Sequence, residues 1–320
     1  MAFLKVNQIG VQGEMDMVLN DISFIQHQFQ KVAIAGETGS GKSTLLKVVA
    51  GLAQPSSGDV WFDQKRVSGP LDQLVPGCPG IAYLSQQFEL PKFLRVEQIL
   101  AYANELADNE ANALFDVCQI NHLLKRKTDQ LSGGEQQRIA LAKLLITSPK
   151  LLLLDEPFSN LDMVHKNTLK KVIDDISNRL KITCILVSHD PLDTLPWADK
   201  IIVMKDGQII QQGSSQRIYT KPLNEYIAGL FGNYNLLSPS QLQVLASGDM
   251  ALKRKETIVR PERFKLMKRG KSSSRGTVVN VRYFGSYFEA DILHMNKIIL
   301  VRSVNSINKN DVVYLALDDI

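Results

Sequence analysis

The chain has 320 residues, 44% apolar and 22% charged, the balance of a globular protein long enough for two domains. It has no run of about 18 apolar residues, its start (Met1-Ala-Phe-Leu-Lys5) lacks a signal-peptide core, and Cys78, Cys118 and Cys184 are odd in number and far apart. These features exclude a membrane-spanning helix, fit a reducing compartment better than a disulfide framework, and lead us to expect a cytoplasmic protein. The net charge of +4 is uneven: residues 1–233 carry 23 Lys/Arg against 25 Asp/Glu, and residues 234–320 carry 14 against 8. Ten of those basic residues lie between Lys253 and Arg275, where a solvated face, a nucleic-acid contact and an anionic membrane surface are all open readings.

In chain order, Val32-Ala-Ile-Ala35, Ile81-Ala-Tyr-Leu84, Leu151–Leu154, Cys184-Ile-Leu-Val187 and Ile201–Met204 are short continuous apolar runs. Such runs suit strands covered on both faces, hence an α/β core with a parallel sheet between helices. Over about 88–146 the spacing of Leu100, Ala103, Leu106 and Ala107, then Leu114, Phe115 and Val117, predicts a helical insertion. After Asn233 the segments Thr277–Tyr283, Tyr287–Leu293, Ile298–Val304 and Asp311–Leu317 predict a small all-β, barrel-like module over 234–320.

Behind the first strand, Gly36-Glu37-Thr38-Gly39-Ser40-Gly41-Lys42-Ser43 fits G-x-x-x-x-G-K-[ST], and an apolar helical pattern (Leu45, Leu46, Val48, Val49) follows it. The glycines let successive N–H groups turn inward onto phosphate oxygens, and the helix N-terminus adds to that field. Lys42 would neutralise β/γ-phosphate charge, the Ser43 hydroxyl would bind Mg²⁺, and Thr44 is placed for the α-phosphate. A nucleoside triphosphate with Mg²⁺ is therefore the expected ligand.

Asp155 and Glu156 stand at the end of the buried run Leu151–Leu154, where parallel sheets present ligands. One carboxylate suits the metal ion and the next can take a proton from an attacking water. Neighbouring strand residues point in opposite directions, so the strand must bend there for both to face one nucleotide.

Leu131-Ser-Gly-Gly-Glu-Gln-Gln-Arg138 carries an S-x-x-E capping box, Ser132 to Glu135, ahead of a helix through Ile139, Leu141, Ala142, Leu144 and Leu145. Gly133 and Gly134 would leave that N-terminus bare for a phosphate. This segment resembles the signature of the ATPase subunits of ABC transporters. The resemblance implies a P-loop NTPase fold and an ATP-hydrolysing, transport-coupled translocase. Within it, Gln86 is similar to the glutamine that senses the γ-phosphate and Mg²⁺. Ser159-Asn-Leu-Asp162 resembles the loop that crosses to a partner subunit, and Ser188-His189-Asp190 the switch-histidine motif. Catalytic roles then fall to Glu156, His189 and Gln86, and nucleotide contacts to residues 36–44 with Ser132, Gly133, Gly134 and Asp162. Metal contacts fall to Ser43, Gln86 and Asp155.

The same resemblance implies a second copy of the chain closing each ATP site. It implies permease subunits docking on the helical insertion and on Gln87 to Val96, an indirectly coupled solute-binding protein, and a peripheral place on the inner membrane face. The family's adenine-stacking aromatic is missing: Gly10 to Val18 has no Phe, Tyr or Trp, so an aliphatic side chain is expected there and GTP is a candidate beside ATP.

Phe231-Gly-Asn-Tyr-Asn235 and Arg260-Pro-Glu262 are similar to the TOBE module of importer-type members, which favours import and argues against nucleic acid. The linker leans the solute toward the polyamine or iron set. The basic stretch Lys253–Arg275 then reads as a mostly solvated connection into the β-module. A soluble non-transport ABC ATPase, acting in translation or on DNA, is the alternative. A GTPase or small-molecule kinase on the same loop is opposed by the signature and His189.

Overall fold

The computed structural model describes residues 2–14, 16–86, 90–159, 161–246, 255–267 and 274–317. The chain forms two compact units, Met1–Ile218 and Tyr219–Ile320.

The first unit begins with β1 (Leu4–Gln12), β2 (Met17–Gln26), β3 (Lys31–Ala35), α1 (Lys42–Val49), β4 (Ser57–Phe62), β5 (Lys65–Arg66) and β6 (Ile81–Leu84). It continues with α2 (Val96–Ala103), α3 (Asp108–Cys118), α4 (Gly133–Leu145), β7 (Leu151–Asp155), α5 (Met163–Asn178), β8 (Thr183–Val187), α6 (Pro191–Thr194), β9 (Lys200–Lys205) and β10 (Gln208–Gly213). The break between the units falls within α7 (Ser215–Thr220).

Six strands form one sheet in the order β10-β9-β3-β8-β7-β6. All neighbours pair in parallel except β10, which runs antiparallel to β9. The apolar runs are continuous because alternate side chains enter different cores. Leu151 and Leu153 pack with α1, while Leu152 and Leu154 pack with α2–α5. The helical stretch thus shares a core with the sheet rather than standing apart from it.

On the α1 side lies an antiparallel sheet, β2-β1-β4-β5, contributing Leu4, Val6, Ile22, Phe24 and Val60 to the same core. Its strands alternate buried and exposed positions, so they leave no continuous apolar run in the sequence.

The second unit contains α8 (Glu225–Leu230), β11 (Asn235–Leu237), α9 (Pro239–Leu245), β12 (Thr257–Val259), β13 (Phe264–Met267), β14 (Ser274–Tyr283), β15 (Phe288–His294), β16 (Lys297–Ser303) and β17 (Val312–Leu317). Five of its strands form an antiparallel sheet, β13-β17-β14-β15-β16, and β11 pairs with β12. Among the described residues β13 and β16 end the hydrogen-bonded order, and these two strands come into contact with each other, so the sheet curls in a barrel-like way.

The second compact unit starts at Tyr219, ahead of the β-module expected from residue 234, and the segment between them is linked to it by Arg260. Arg260 is 5% exposed, and its guanidinium donates to the carbonyls of Tyr219 (3.0 Å), Ala228 (2.9 Å), Gly232 (2.9 Å) and Asn233 (3.1 Å). It also stacks on the Tyr219 ring at 4.2 Å. Residues 219–233 are therefore tied to the β-unit. Arg260 also departs from the expectation of a solvated basic stretch, because its charge is spent inside the protein. Lys253, Arg254, Lys268, Arg269 and Lys271 of that stretch lie outside the described residues. Among the described residues no helix is long and apolar enough to cross a membrane.

Candidate active site

The carboxyl ends of β3, β8, β7 and β6, neighbours in the sheet, deliver the phosphate loop, His189, the Asp155–Glu156 pair and Gln86 to one edge. Gly36 begins the loop in tight contact with β9: a Cβ there would lie 2.3 Å from the Met204 carbonyl oxygen. Gly41 caps α1 with φ 93°, and a Cβ on it would lie 2.8 Å from the Val18 carbonyl oxygen. Both positions require glycine, and the turn leaves the first N–H groups of α1 facing outward. Glu37, Thr38 and Gly39 are exposed at the crown of the loop, Ser40 is buried, Ser43 is exposed and Thr44 is half-buried.

Lys42 is 5% exposed and folds back over the loop. Its ammonium donates to the carbonyls of Gly36 (2.9 Å) and Glu37 (2.6 Å) and to Ser40 Oγ (3.3 Å). Burial pulls the Lys42 pKa below the ordinary lysine value, while Glu156, Asp155 and Glu37 oppose the fall. The positive charge is held where phosphate oxygens would meet it.

Asp155 is 3% exposed and has both oxygens occupied. Ser43 Oγ donates to Oδ1 at 2.9 Å, and Tyr83 donates its phenolic hydroxyl to Oδ2 at 2.9 Å. A hydroxyl and a carboxylate in contact are hard oxygen donors, too few for an all-protein cage and suited to an ion that keeps phosphate and water ligands. The residues present fit Mg²⁺ on a nucleotide.

At the next residue the chain turns: Glu156 has φ 47°, a left-handed conformation costing about 1–3 kcal/mol in a non-glycine residue. Its N–H is held by the Val187 carbonyl at 3.0 Å. The turn swings the Glu156 carboxylate to the same side as Asp155. Gln86 Nε2 lies 3.5 Å from Glu156 Oε2, and His189 Nδ1 lies 3.4 Å from the same oxygen. A cavity of about 370 Å³ opens beside this oxygen, lined by Gln86, Glu156, Phe158, His189, Lys166 and Asp190. A carboxylate facing a cavity, flanked by an amide and an imidazole, can accept a proton from a water held there.

Ser132, Gly133, Gly134 and Asp162 form a second group. Ser132 and Glu135 make a reciprocal cap on α4, at 2.8 Å and 3.3 Å. The bonds from Ser132 hold the Glu135 carboxyl below its usual range, the backbone N–H chief among them. The two glycines differ. A Cβ on Gly133 meets nothing within 4 Å, whereas one on Gly134 would lie 2.7 Å from the His165 ring. Gly134 is thus explained by close packing on His165, and Gly133 presents the open N–H end. Asp162 caps α5, accepting from His165 N (2.9 Å) and meeting its Nδ1 (2.7 Å). Within one chain its carboxylate is committed to His165. Asn160 of the same loop, and Gln87 of the expected docking segment, lie outside the described residues.

The sequence reading did not single out Tyr83, whose hydroxyl is hidden inside an apolar strand pattern. Gln137 was also missed; it is 4% exposed and donates to the Pro157 carbonyl, tying α4 to the turn after Glu156. Where an aromatic residue was absent upstream of the loop, Val18 and Leu19 stand against Gly41.

The ABC transporter family profile matches residues 19–159. The sulfate/thiosulfate import ATP-binding protein CysA of Mesostigma viride is 33% identical over 295 residues, covering 86% of this chain and 82% of that protein. The Fe(3+) ions import ATP-binding protein FbpC of Photobacterium profundum is 31% identical over 330 residues, covering 94% of this chain and 91% of that protein. Among solved structures, CbiO1 of Clostridium perfringens, part of the ABC transporter complex CbiONQ, is 28% identical with a TM-score of 0.59, covering 68% of this chain and 90% of that one.

Proposed function

The chain belongs to the import ATP-binding subunits of ABC transporters, and from that premise we propose how its own residues turn ATP hydrolysis into solute import. The observation that carries the reading is the convergence of Gln86 and His189 on one Glu156 oxygen, beside the Ser43–Asp155 contact and the phosphate loop.

Residues 36–44 bind the triphosphate, with loop N–H groups and Lys42 against the β- and γ-phosphates. Ser43 and Asp155, with Gln86 nearby, would hold Mg²⁺, which would supply charge neutralisation to the nucleotide. Glu156 takes a proton from a water molecule as the water oxygen bonds to the γ-phosphorus. The bond from that phosphorus to the β–γ bridging oxygen breaks, leaving ADP and inorganic phosphate. His189 holds the γ-phosphate oxygens, and Gln86 orients the water.

Ser132 and Gly133 are assigned to the nucleotide of a second copy. Gly133 stands at a helix N-terminus with open space where a side chain would be, room for a phosphate to approach. Asp162 is assigned to that same subunit contact.

An integral-membrane permease is the second partner, seated on the helical segment where Phe93 and Tyr102 stand 71% and 81% exposed. The subunit then acts peripherally at the inner membrane face, with a solute-binding protein coupled only through the permease. The two relatives carry different solutes in their names, so the solute is assigned to the permease rather than to this chain.

Affinity purification of the full chain from membranes solubilised in mild detergent tests this. Recovery of an integral-membrane protein whose presence stimulates ATP turnover is expected. Sedimentation with ribosomes or DNA, with no membrane component, would overturn it.

A further inference from the structure

Behind His189 lies a charged cluster that the mechanism above does not use. Asp193, on α6, has a side chain only 2% exposed, and its two oxygens are shared out. Oδ2 accepts from Ser188 Oγ at 2.8 Å; Oδ1 forms ion pairs with Lys166 (2.9 Å) and Lys170 (2.8 Å), one turn apart on α5. Lys166 also donates to Asp190 Oδ2 at 2.6 Å, and the Asp190 N–H donates to Ser188 Oγ at 3.1 Å.

Of the residues flanking His189, Asp190 is tied directly to α5 by its side chain and Ser188 is tied to it through Asp193, while the imidazole itself projects outward, 62% exposed. The same two ammonium groups lie 6.0 and 5.8 Å from the centre of the Phe158 ring, two residues beyond Glu156. One cluster thus ties together the helix after the Asp162 cap, the histidine loop and the turn that carries the candidate base.

The charges are well matched. Burial works against the Lys166 ammonium, but the bonds to Asp190 and Asp193 outweigh it and leave its pKa above the ordinary lysine value. A buried charge is costly unless paired, and the buried Asp193 carboxylate is met by two half-buried ammonium groups. Such a network holds geometry more than it adds net stability.

We propose that Lys166 is a positioning residue for hydrolysis: by gripping Asp190 and Asp193 it fixes the backbone on both sides of His189 and so sets the imidazole's place beside Glu156. This rests on the reading that His189 works on the γ-phosphate. It assigns Lys166 no contact with the nucleotide. It also makes α5 a mechanical link, since a displacement of the Asp162 end of that helix by a second copy would reach His189 through Lys166.

Steady-state hydrolysis of MgATP by the full chain compares Lys166→Met, Lys166→Arg, His189→Ala and the double variant Lys166→Met/His189→Ala. Lys166→Met lowers kcat about tenfold or more with KM for ATP within about threefold, Lys166→Arg recovers most of the loss, and the double variant is no slower than His189→Ala. Wild-type kcat in Lys166→Met beside an inactive His189→Ala overturns the proposal and leaves the site reading standing. Additive losses in the double variant overturn it too, because Lys166 would then act independently of His189. Wild-type kcat in His189→Ala overturns the site reading itself. If Lys166→Met does not fold, Asp190→Ala removes the same bond from the more exposed side and carries the same expectations.

Discussion

Tyr83 donates its phenolic hydroxyl to Asp155 Oδ2 across 2.9 Å, on the carboxylate whose other oxygen receives the Ser43 hydroxyl. Burial, then the Asp155 charge and this bond, push the Tyr83 pKa upward, so the phenol remains a donor throughout the physiological range. The tyrosine thereby orients the carboxylate assigned to Mg²⁺. Partners behind a metal ligand are worth roughly 10–100-fold in metal affinity, and a lost bond to a charged group costs about 1.5–3 kcal/mol. In Tyr83→Phe the Mg²⁺ concentration for half-maximal nucleotide binding rises about tenfold, measured by fluorescent-nucleotide titration. An unchanged Mg²⁺ titration would remove Tyr83 from this role.

The two signature glycines respond differently to the same added methyl group. Gly134→Ala drives a Cβ to within 2.7 Å of the His165 ring and 2.9 Å of His165 Cβ, so α5 must give way. A loss of about 1–3 kcal/mol in denaturant unfolding follows from the overpacking. Gly133→Ala meets nothing within 4 Å, and alanine is favoured over glycine in a helix by up to about 1 kcal/mol. Gly133→Ala is therefore as stable as wild type yet slow in ATP turnover, because its methyl group stands where the second copy's phosphate would approach. A stable, fully active Gly133→Ala would count against that assignment.

The Glu135 cap makes α4 sensitive to acid, with a definite sign. The folded pKa lies below the ordinary value of 4.5, mainly through the Ser132 backbone bond. The folded state thus binds fewer protons than the unfolded one near that pH. Its stabilisation is complete above about pH 4.5 and is lost as pH falls through the folded value. Glu135→Gln keeps a capping side chain but not the charge, so its Tm falls less steeply between pH 5 and 3 than that of the wild type, by about the share of one carboxylate. Parallel curves for the two proteins would show the cap to be electrostatically silent.

The parallel sheet was legible in the sequence because its central strands β7 and β8 are buried on both faces, leaving unbroken runs such as Leu151–Leu154. The phosphate loop was legible because only glycine fits beside Met204 and Val18. The antiparallel sheet was missed because β1 and β2 show one face to solvent and their apolar residues alternate. The bend at Glu156 was foreseeable from two adjacent acids that must face one ligand, although its φ of 47° was not. Tyr83, Lys166 and Asp193 were hidden for a different reason. Their meaning lies in contacts between elements far apart in the chain, and nothing in local spacing records that Lys166 on α5 meets Asp190 and Asp193 beyond β8. Arg260 was noticed only as part of a motif and a charge count; its four carbonyl acceptors come from two other segments.

Glu156 acts as the general base of an ATPase, and Glu156→Gln puts that role to the test. The amide is isosteric and keeps a side-chain oxygen, but it is neutral and does not accept a proton from water at neutral pH. Phosphate release from MgATP by the full chain should fall by at least about a hundredfold, with the dissociation constant for ATP within about threefold of wild type. Turnover undiminished in Glu156→Gln, with ATP still bound, would contradict the account.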